Sequence, residues 1–270
     1  MRIQELVAVF IFVFFWGMIY FIEIGYLISA CRRKTIEHTW FAYVVHGFSL
    51  IGIFCLAYSF FIEPYWVKTE HIDILTDKLT ETELTIVQIS DLHCDETARA
   101  EEKLLSIINA LAPDIIVFTG DALNTATALP LFQKTLASLK AGIGKFAVRG
   151  NFDIWFQKSR DLFANTGFIE LENQTVTVSK EGEMFTISGL SVGQSINERD
   201  FLKNVHPGAY NIVLYHYPGI NEELADVPID LFLSGHTHGG QVALPFYGAM
   251  VTLSKYGKKY ESGRYDIDDR

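Results

Sequence analysis

The sequence predicts a layered α/β domain carried behind two membrane-spanning helices. Two observations predict it. A pair of long apolar runs, Leu6–Ala30 and Phe41–Ile62, stands at the N-terminal end, and from Leu84 onward short apolar strands alternate with amphipathic helices. With 270 residues, 49% of them hydrophobic, and a formal charge of -10, the chain can bury a sizeable core and is not disordered. The acidic balance, with no basic stripe, argues against nucleic acid as a partner.

Each apolar run is long enough to cross a bilayer as a helix, and residues 1–66 are taken as a two-helix membrane anchor. A cleaved leader is disfavoured for the first run: it lacks a strongly basic start and a small-residue cleavage site, and a second span follows. The runs are interrupted by Glu23 and contain His46, polar groups that are costly at membrane depth. They are expected to face each other, a water-filled gap or the interface. The connection between the runs holds Arg32, Arg33 and Lys34, so the positive-inside rule makes it cytoplasmic and puts the rest of the chain outside the cytoplasm.

Residues 67–270 form the second domain. Trp66 to Glu83 reads as a polar linker becoming an edge strand. Strands are expected at Thr85–Ile89, Ile115–Phe118 and Lys145–Val148, with helices at Ala98–Ala110, Leu129–Leu139 and Gln157–Ala164. After Gly167 the strands Phe168–Leu171, Thr175–Ser179, Met184–Ser188, Ile212–Tyr215, Asp230–Leu233 and Gln241–Leu244 follow. Short helices near Glu198–Lys203 and at Ile220–Ala225 complete the list. The cysteines, Cys31, Cys55 and Cys94, suggest no disulfide framework. Cys94 lacks the His/Asn partner pattern of a nucleophile.

Five of the strands run into an oxygen or nitrogen donor. The segments are Ile89-Ser90-Asp91-Leu92-His93, Phe118-Thr119-Gly120-Asp121, Val148-Arg149-Gly150-Asn151-Phe152-Asp153, Leu214-Tyr215-His216, and Ser234-Gly235-His236-Thr237-His238-Gly239-Gly240-Gln241. Open α/β sheets place their sites just past such strand ends. In an extended segment His236 and His238 would project to one side, with glycines letting the backbone turn closely. Imidazole, carboxylate and amide oxygen without thiolate is ligation suited to Mn, Fe or Zn. Taken singly, His216 could be a core histidine, Asp121 a turn former and Asn151 a helix cap.

The ordered series D-x-H, G-D, G-N-x-D, H and G-H-x-H resembles the calcineurin-like metallophosphoesterases, and the S-D-L-H and S-G-H-T-H-G-G-Q segments are similar to their membrane-anchored bacterial branch. The resemblance spans Leu84 to Tyr260. It implies a four-layer α/β/β/α sandwich of two facing mixed sheets, and an integral protein of the inner (plasma) membrane. It implies two divalent ions: Asp91, His93 and His238 on the first, Asn151, His216 and His236 on the second, and Asp121 bridging. A shared water would lose a proton to give the attacking hydroxide. Asn151 and His216 are the residues implied in catalysis, and Asn151 and Phe152 those meeting substrate.

Phe152 departs from the family pattern, which usually has histidine there to assist the leaving group. The enzyme is therefore expected to be attenuated, or to act where the leaving group needs no proton. The second case favours a diphosphate, whose cleavage expels a phosphate monoester rather than an alkoxide, and the family includes membrane-associated diphosphatases that cut UDP-diacylglucosamine. The function expected, kept broad, is cleavage of a phosphodiester or diphosphate bond in a lipid or lipid-linked substrate. Such nucleotide-linked lipids are cytoplasmic, in tension with the charge reading of topology. A general phosphomonoesterase and a metal-binding membrane module without turnover are the alternatives. Phe152, Trp155 and Phe156 could line an acyl or sugar pocket, although ordinary packing is the preferred reading of the trio. Ser191 stands where the branch often has an acid. The chain stops at Arg270 where relatives usually continue with another strand, so that strand is dispensable or the sequence is truncated.

Overall fold

A computed structural model describes residues 3–33, 39–190, 192–193, 205–224, 226–240, 242–244 and 246–267. Contacts divide the chain into two compact units, Met1–Lys68 and Thr69–Arg270.

In the first unit, α1 (Ile3–Arg33) and α2 (Trp40–Phe61) are 31 and 22 residues long. At 1.5 Å per residue, α2 spans about 33 Å and α1 more, enough for a hydrocarbon core of about 30 Å. Thr39 sits in extended backbone and caps α2 by accepting the Ala42 N–H at 3.2 Å. The helices bury Ile19, Ala42, Val45, Ser49 and Gly52 and leave Phe10, Phe14, Phe54 and Phe60 exposed. Small residues at the contact with large apolar residues outside is the pattern of helices solvated by lipid. A Cβ at Gly52 would lie 2.8 Å from the Trp16 ring and collide with the Tyr20 hydroxyl. Glu23 and His46 do face each other, with Oε2 and Nδ1 2.6 Å apart.

The second unit holds two four-stranded sheets. The first, in order β1 (Ile86–Ile89), β2 (Ile115–Phe118), β3 (Gly144–Ala147), β4 (Phe168–Glu170), is parallel throughout. Helices α3 (Glu101–Leu111) and α4 (Leu129–Ala137) make its first two crossovers, and α5 (Asn151–Phe156) follows β3. The second sheet has the order β5 (Gln174–Lys180), β6 (Glu183–Gly189), β7 (Tyr210–Leu214), β8 (Leu231–Leu233). Its β5/β6 pair is an antiparallel hairpin, closed by Glu181 and Gly182 at φ +53° and +92°, and its other pairs are parallel. Among the described residues, then, the second of these sheets is mixed and the first is not, where two mixed sheets were implied. A two-stranded ribbon, β9 (Ala243–Leu244) and β10 (Gly248–Ala249), lies beyond.

Alternation along β2 generates the layers. Ile116 and Phe118 join Ile108 of α3 and Phe132 and Leu136 of α4 in one core. Ile115 and Val117 meet Phe185, Ile187, Ile212 and Leu214 in a second core between the sheets. A third core, with Val213, Tyr215, Ile220 and Leu224, covers the outer face of the second sheet. Helices, sheet, sheet and an outer cover make a four-layer sandwich of the kind anticipated above, with a 3-10 segment in the fourth layer among the described residues.

Several elements depart from expectation. Gln157–Ala164 is a chain of turns rather than a helix, and the helix comes earlier, as α5. The Arg149 guanidinium takes the Gln157 carbonyl at 3.3 Å and the Arg160 carbonyl at 2.9 Å, acceptors that a continuing helix would need. Residues 66–83 contain no strand. The Thr80 and Glu81 N–H groups donate to the Glu183 carboxylate at the hairpin end instead. The outer cover at Pro218–Leu224 is 3-10 in form, as short segments often are. The helix expected at Glu198–Lys203, Ser191 and Gln241 lie outside the described residues.

Candidate metal centre

The C-terminal ends of β1, β2, β3, β7 and β8 deliver the seven side chains singled out in the sequence. Asp91 lies two residues past β1, Asp121 three past β2, Asn151 at the start of α5, His216 two past β7, and His236 and His238 beyond β8. Backbone hydrogen bonds stitch the loops together. Asp91 N–H donates to the Gly120 carbonyl (2.9 Å), His93 N–H to Asp121 (3.1 Å) and Gly235 N–H to His216 (3.1 Å). Glycines permit the approach: a Cβ on Gly120 would lie 2.5 Å from Gly150 N and 2.7 Å from His216 Nδ1, and one on Gly235 would collide with Ser90 and Asp91.

Asp91, His93, Asp121 and His238 place one ligand atom each within 4.8 Å of all the others. His238 Nε2 is 3.2 Å from Asp91 Oδ1 and His93 Nε2 is 3.6 Å from Asp121 Oδ2. On the other side, His216 Nε2 is 3.3 Å from Asp121 Oδ2, 3.1 Å from Asn151 Oδ1 and 4.0 Å from Asp91 Oδ1. The His236 ring packs 5.1 Å from that of His216, while its Nε2 faces the Leu253 carbonyl at 3.4 Å.

The segment carrying the last two histidines is not extended. His236 and His238 have φ of 76° and 51°, and the chain turns tightly from Gly235 to Gly240. Their side chains therefore part, His238 toward His93 (rings 5.0 Å apart) and His236 toward His216. Asp91, His93 and Asp121 also occupy left-handed backbone, with φ of 52°, 41° and 56°. Non-glycine residues pay for that conformation, and such outliers cluster at functional sites.

The donors fit a cation. His216 Nδ1 faces the Thr119 carbonyl at 2.8 Å, which accepts its proton and leaves Nε2 turned toward two oxygens. Acceptors converging on acceptors need a proton or a metal ion between them. His93 Nδ1 is buried with no hydrogen-bond partner among the described residues. Burial pushes the Asp91 carboxyl up, but hydrogen bonding from His238 and the charge of His216 more than offset it and hold it below the usual range. His216 is raised, its burial outweighed by Asp121, and His238 is raised by its bond to Asp91. Burial holds His93 down and, with His216 nearby, puts His236 at about 4.

Sequence reasoning gave no role to two residues here. Asp153 is wholly buried between the Asp121 and Asn151 loops, and Tyr217 sets its ring edge-on to His236 at 4.4 Å. Cys94, also wholly buried, has its thiol pushed up to about 12 by burial and by Glu101, which rules against a nucleophile at neutral pH. Phe152 stands edge-on to His93 at 4.9 Å and contacts Trp155 and Phe156 at 6.4 and 5.3 Å. The last two are each 64% exposed, so the trio does not pack into a core as expected.

The calcineurin-like phosphoesterase family matches residues 84–240, well over half of the chain. The chain belongs to this family. The phosphoesterase is 31% identical over 226 residues to the uncharacterized metallophosphoesterase YkuE of Bacillus subtilis, covering 77% of each chain. It is 34% identical over 204 residues to an uncharacterized metallophosphoesterase of Aquifex aeolicus, covering 70% of this chain and 76% of that one. It is also similar to the UDP-2,3-diacylglucosamine pyrophosphatase LpxG of Chlamydia muridarum, 28% identical over 249 residues, covering 67% and 75%. The phosphoesterase is thus a hydrolase with a candidate metal-binding group at its strand ends. Its two N-terminal helices are long and apolar enough for a membrane anchor.

Proposed function

We propose that this phosphoesterase hydrolyses a diphosphate or phosphodiester bond in a lipid-linked substrate, of the class acted on by its pyrophosphatase relative, at a centre of two divalent cations. Asp91, His93 and His238 would hold one ion, Asn151, His216 and His236 the other, and Asp121 both. Cations bound there would lower the pKa of a water and withdraw charge from phosphoryl oxygens. Mn, Fe and Zn suit the nitrogen and oxygen donors. Asp91 and Asp121 supply the negative charge that retains cations. The Thr119 carbonyl fixes the His216 tautomer, and the Asn151 amide would donate its N–H to a phosphoryl oxygen.

The observation that carries the choice of substrate is the aromatic face beside the centre. Phe152 offers no proton to a leaving group, and a phosphate monoester leaves without one far more readily than an alkoxide does. Trp155 and Phe156, exposed on the same short helix, offer apolar surface next to the reacting group. The full chain, purified in detergent with Mn2+, is to be assayed on glycerol 3-phosphate, an alkyl monoester, on glycerophosphocholine, an alkyl diester, and on UDP-diacylglucosamine. Diphosphate or diester turnover at least tenfold above monoester turnover is expected. Equal or higher monoester turnover would favour a general phosphomonoesterase.

The anchor is taken as residues 1–66 and the catalytic domain as 67–270, in an inner (plasma) membrane with the domain outside the cytoplasm. Arg32, Arg33 and Lys34 in the connection support that orientation. A reporter fused after Arg270 should be active only if it works outside the cytoplasm. A fusion active only inside would reverse the topology and make nucleotide-linked lipids directly accessible.

A further inference from the structure

Asp153 does chemistry that neither the ligand set nor the substrate reading uses. It is 0% exposed, a carboxylate withdrawn entirely from water. Its Oδ2 accepts the N–H groups of Asp121 (2.8 Å) and Gly150 (2.9 Å), and its Oδ1 accepts that of Ala122 (2.9 Å). One side chain at the third position of α5 thus ties its own helix start to the loop after β2. The tie is returned: the Phe152 N–H donates to Asp121 Oδ1 at 2.9 Å. Each carboxylate holds backbone of the other's loop.

The exchange has a directional consequence. With Asp121 Oδ1 engaged by Phe152, it is Oδ2 that faces His93 and His216, at 3.6 and 3.3 Å. Asp121 stands at φ 56°, a conformation that needs external support, and the Asp153 carboxylate holds the N–H on either side of its Cα, those of Asp121 and Ala122. There is no slack between the loops: a Cβ on Gly150 would collide with the Asp121 carboxylate and lie 2.6 Å from its N. A shift of one loop therefore displaces both Asp121 and Asn151.

We infer that Asp153 is the positioning residue of the metal centre: its buried carboxylate clamps the Asp121 loop to the Asn151 loop and so aims Asp121 Oδ2 and the Asn151 amide, without touching cation or substrate. This rests on the proposed reading of the centre, and the test separates the two. Asp153→Asn keeps the size but replaces one acceptor oxygen with an NH2 whose hydrogens must face N–H donors. Groups that orient ligands in this way contribute about 10–100-fold to metal affinity.

The full-length variant in detergent is compared with the parent by circular dichroism, Mn2+ titration calorimetry, hydrolysis at rising Mn2+, and hydrogen-exchange mass spectrometry of residues 119–125. The expected result is an unchanged far-ultraviolet spectrum and Mn2+ Kd raised about 10–100-fold. Hydrolysis should recover at saturating Mn2+, and exchange should quicken in that segment. Mn2+ affinity within twofold of the parent in the folded variant would overturn the inference, since a purely stabilising residue would lower Tm and leave Kd alone. Should Asp153→Asn not fold, the parent decides: with chelator present the Asp121 and Ala122 amides should stay as protected as the β2 core, and rapid exchange there would overturn the clamp. A parent that binds no Mn2+ would sink the metal reading, and the exchange arm would still judge the clamp.

Discussion

At position 152 a histidine could donate a proton and a phenylalanine cannot, and Phe152 occupies its place by turning its edge to His93. Restoring the imidazole should therefore raise monoester hydrolysis more than diphosphate hydrolysis. For Phe152→His we expect kcat/KM on an alkyl monoester such as glycerol 3-phosphate, whose alkoxide leaving group needs a proton, to rise about 100-fold, with a smaller change on a diphosphate. Equal changes on both would show that leaving-group protonation is not what position 152 controls. Gly150 tests the geometry from another side. Its φ of -91° is open to any residue, so the cost of Gly150→Ala is purely the collision of its Cβ with Asp121. That overpacking should destabilise the domain by about 1–3 kcal/mol and cut turnover about a hundredfold by displacing the carboxylate. Denaturant melts and kcat would report the two effects separately. The candidate ligands were legible in the sequence because each carries its chemistry in a local motif at a strand end. Asp153 was visible as the last residue of G-N-x-D, but its role was not, because two of its three partners are backbone N–H groups 31 and 32 residues away that have no sequence signature.

Among the elements, the strands were legible because buried parallel strands are continuous apolar runs, and Ile115–Phe118 was placed to the residue. Helix α5 was missed for a tertiary reason. Gln157–Ala164 has an adequate helical pattern, but Arg149, held by Glu170 at 2.5 and 3.1 Å, draws the local carbonyls into its guanidinium. The edge strand expected before Glu83 likewise gave way to a side-chain acceptor, Glu183. In the anchor, the sequence showed two polar groups and the fold shows their pairing: Glu23 and His46 meet at 2.6 Å, with the Tyr26 ring 5.5 Å from the imidazole. Hydrogen bonds between membrane helices contribute about 0.6–2 kcal/mol. A double-mutant cycle with Glu23→Leu and His46→Leu should give a coupling energy in that range, read from helix-pair dissociation in bilayers. Additive single effects would show that the two groups act independently.

On the scale of the whole molecule, the question is how a chain of charge -10 receives a phosphate. The formal count omits bound cations, and the carboxylates of Asp91 and Asp121 gather negative charge at the place where the substrate's own charge must arrive. On the proposed reading, divalent ions would serve substrate binding as well as chemistry. Removing them should abolish hydrolysis while leaving the three cores intact, since no cluster of core residues includes a ligand. The metal contribution to stability follows from mass action: at a hundred times Kd it is about 2.7 kcal/mol, or about 5–10 °C in Tm for a domain of this size. Its pH dependence has a definite sign. His216 and His238 are raised by Asp121 and Asp91, so a cation must displace protons that these imidazoles hold more tightly than usual. Below the raised values the proton wins. The Mn2+-induced increase in Tm should therefore shrink as pH falls from about 8 to about 6, and return when the pH is restored. Scanning calorimetry of the full chain with and without EDTA measures it, and an increment that grows toward acid would mean that the ion is held by groups other than these imidazoles.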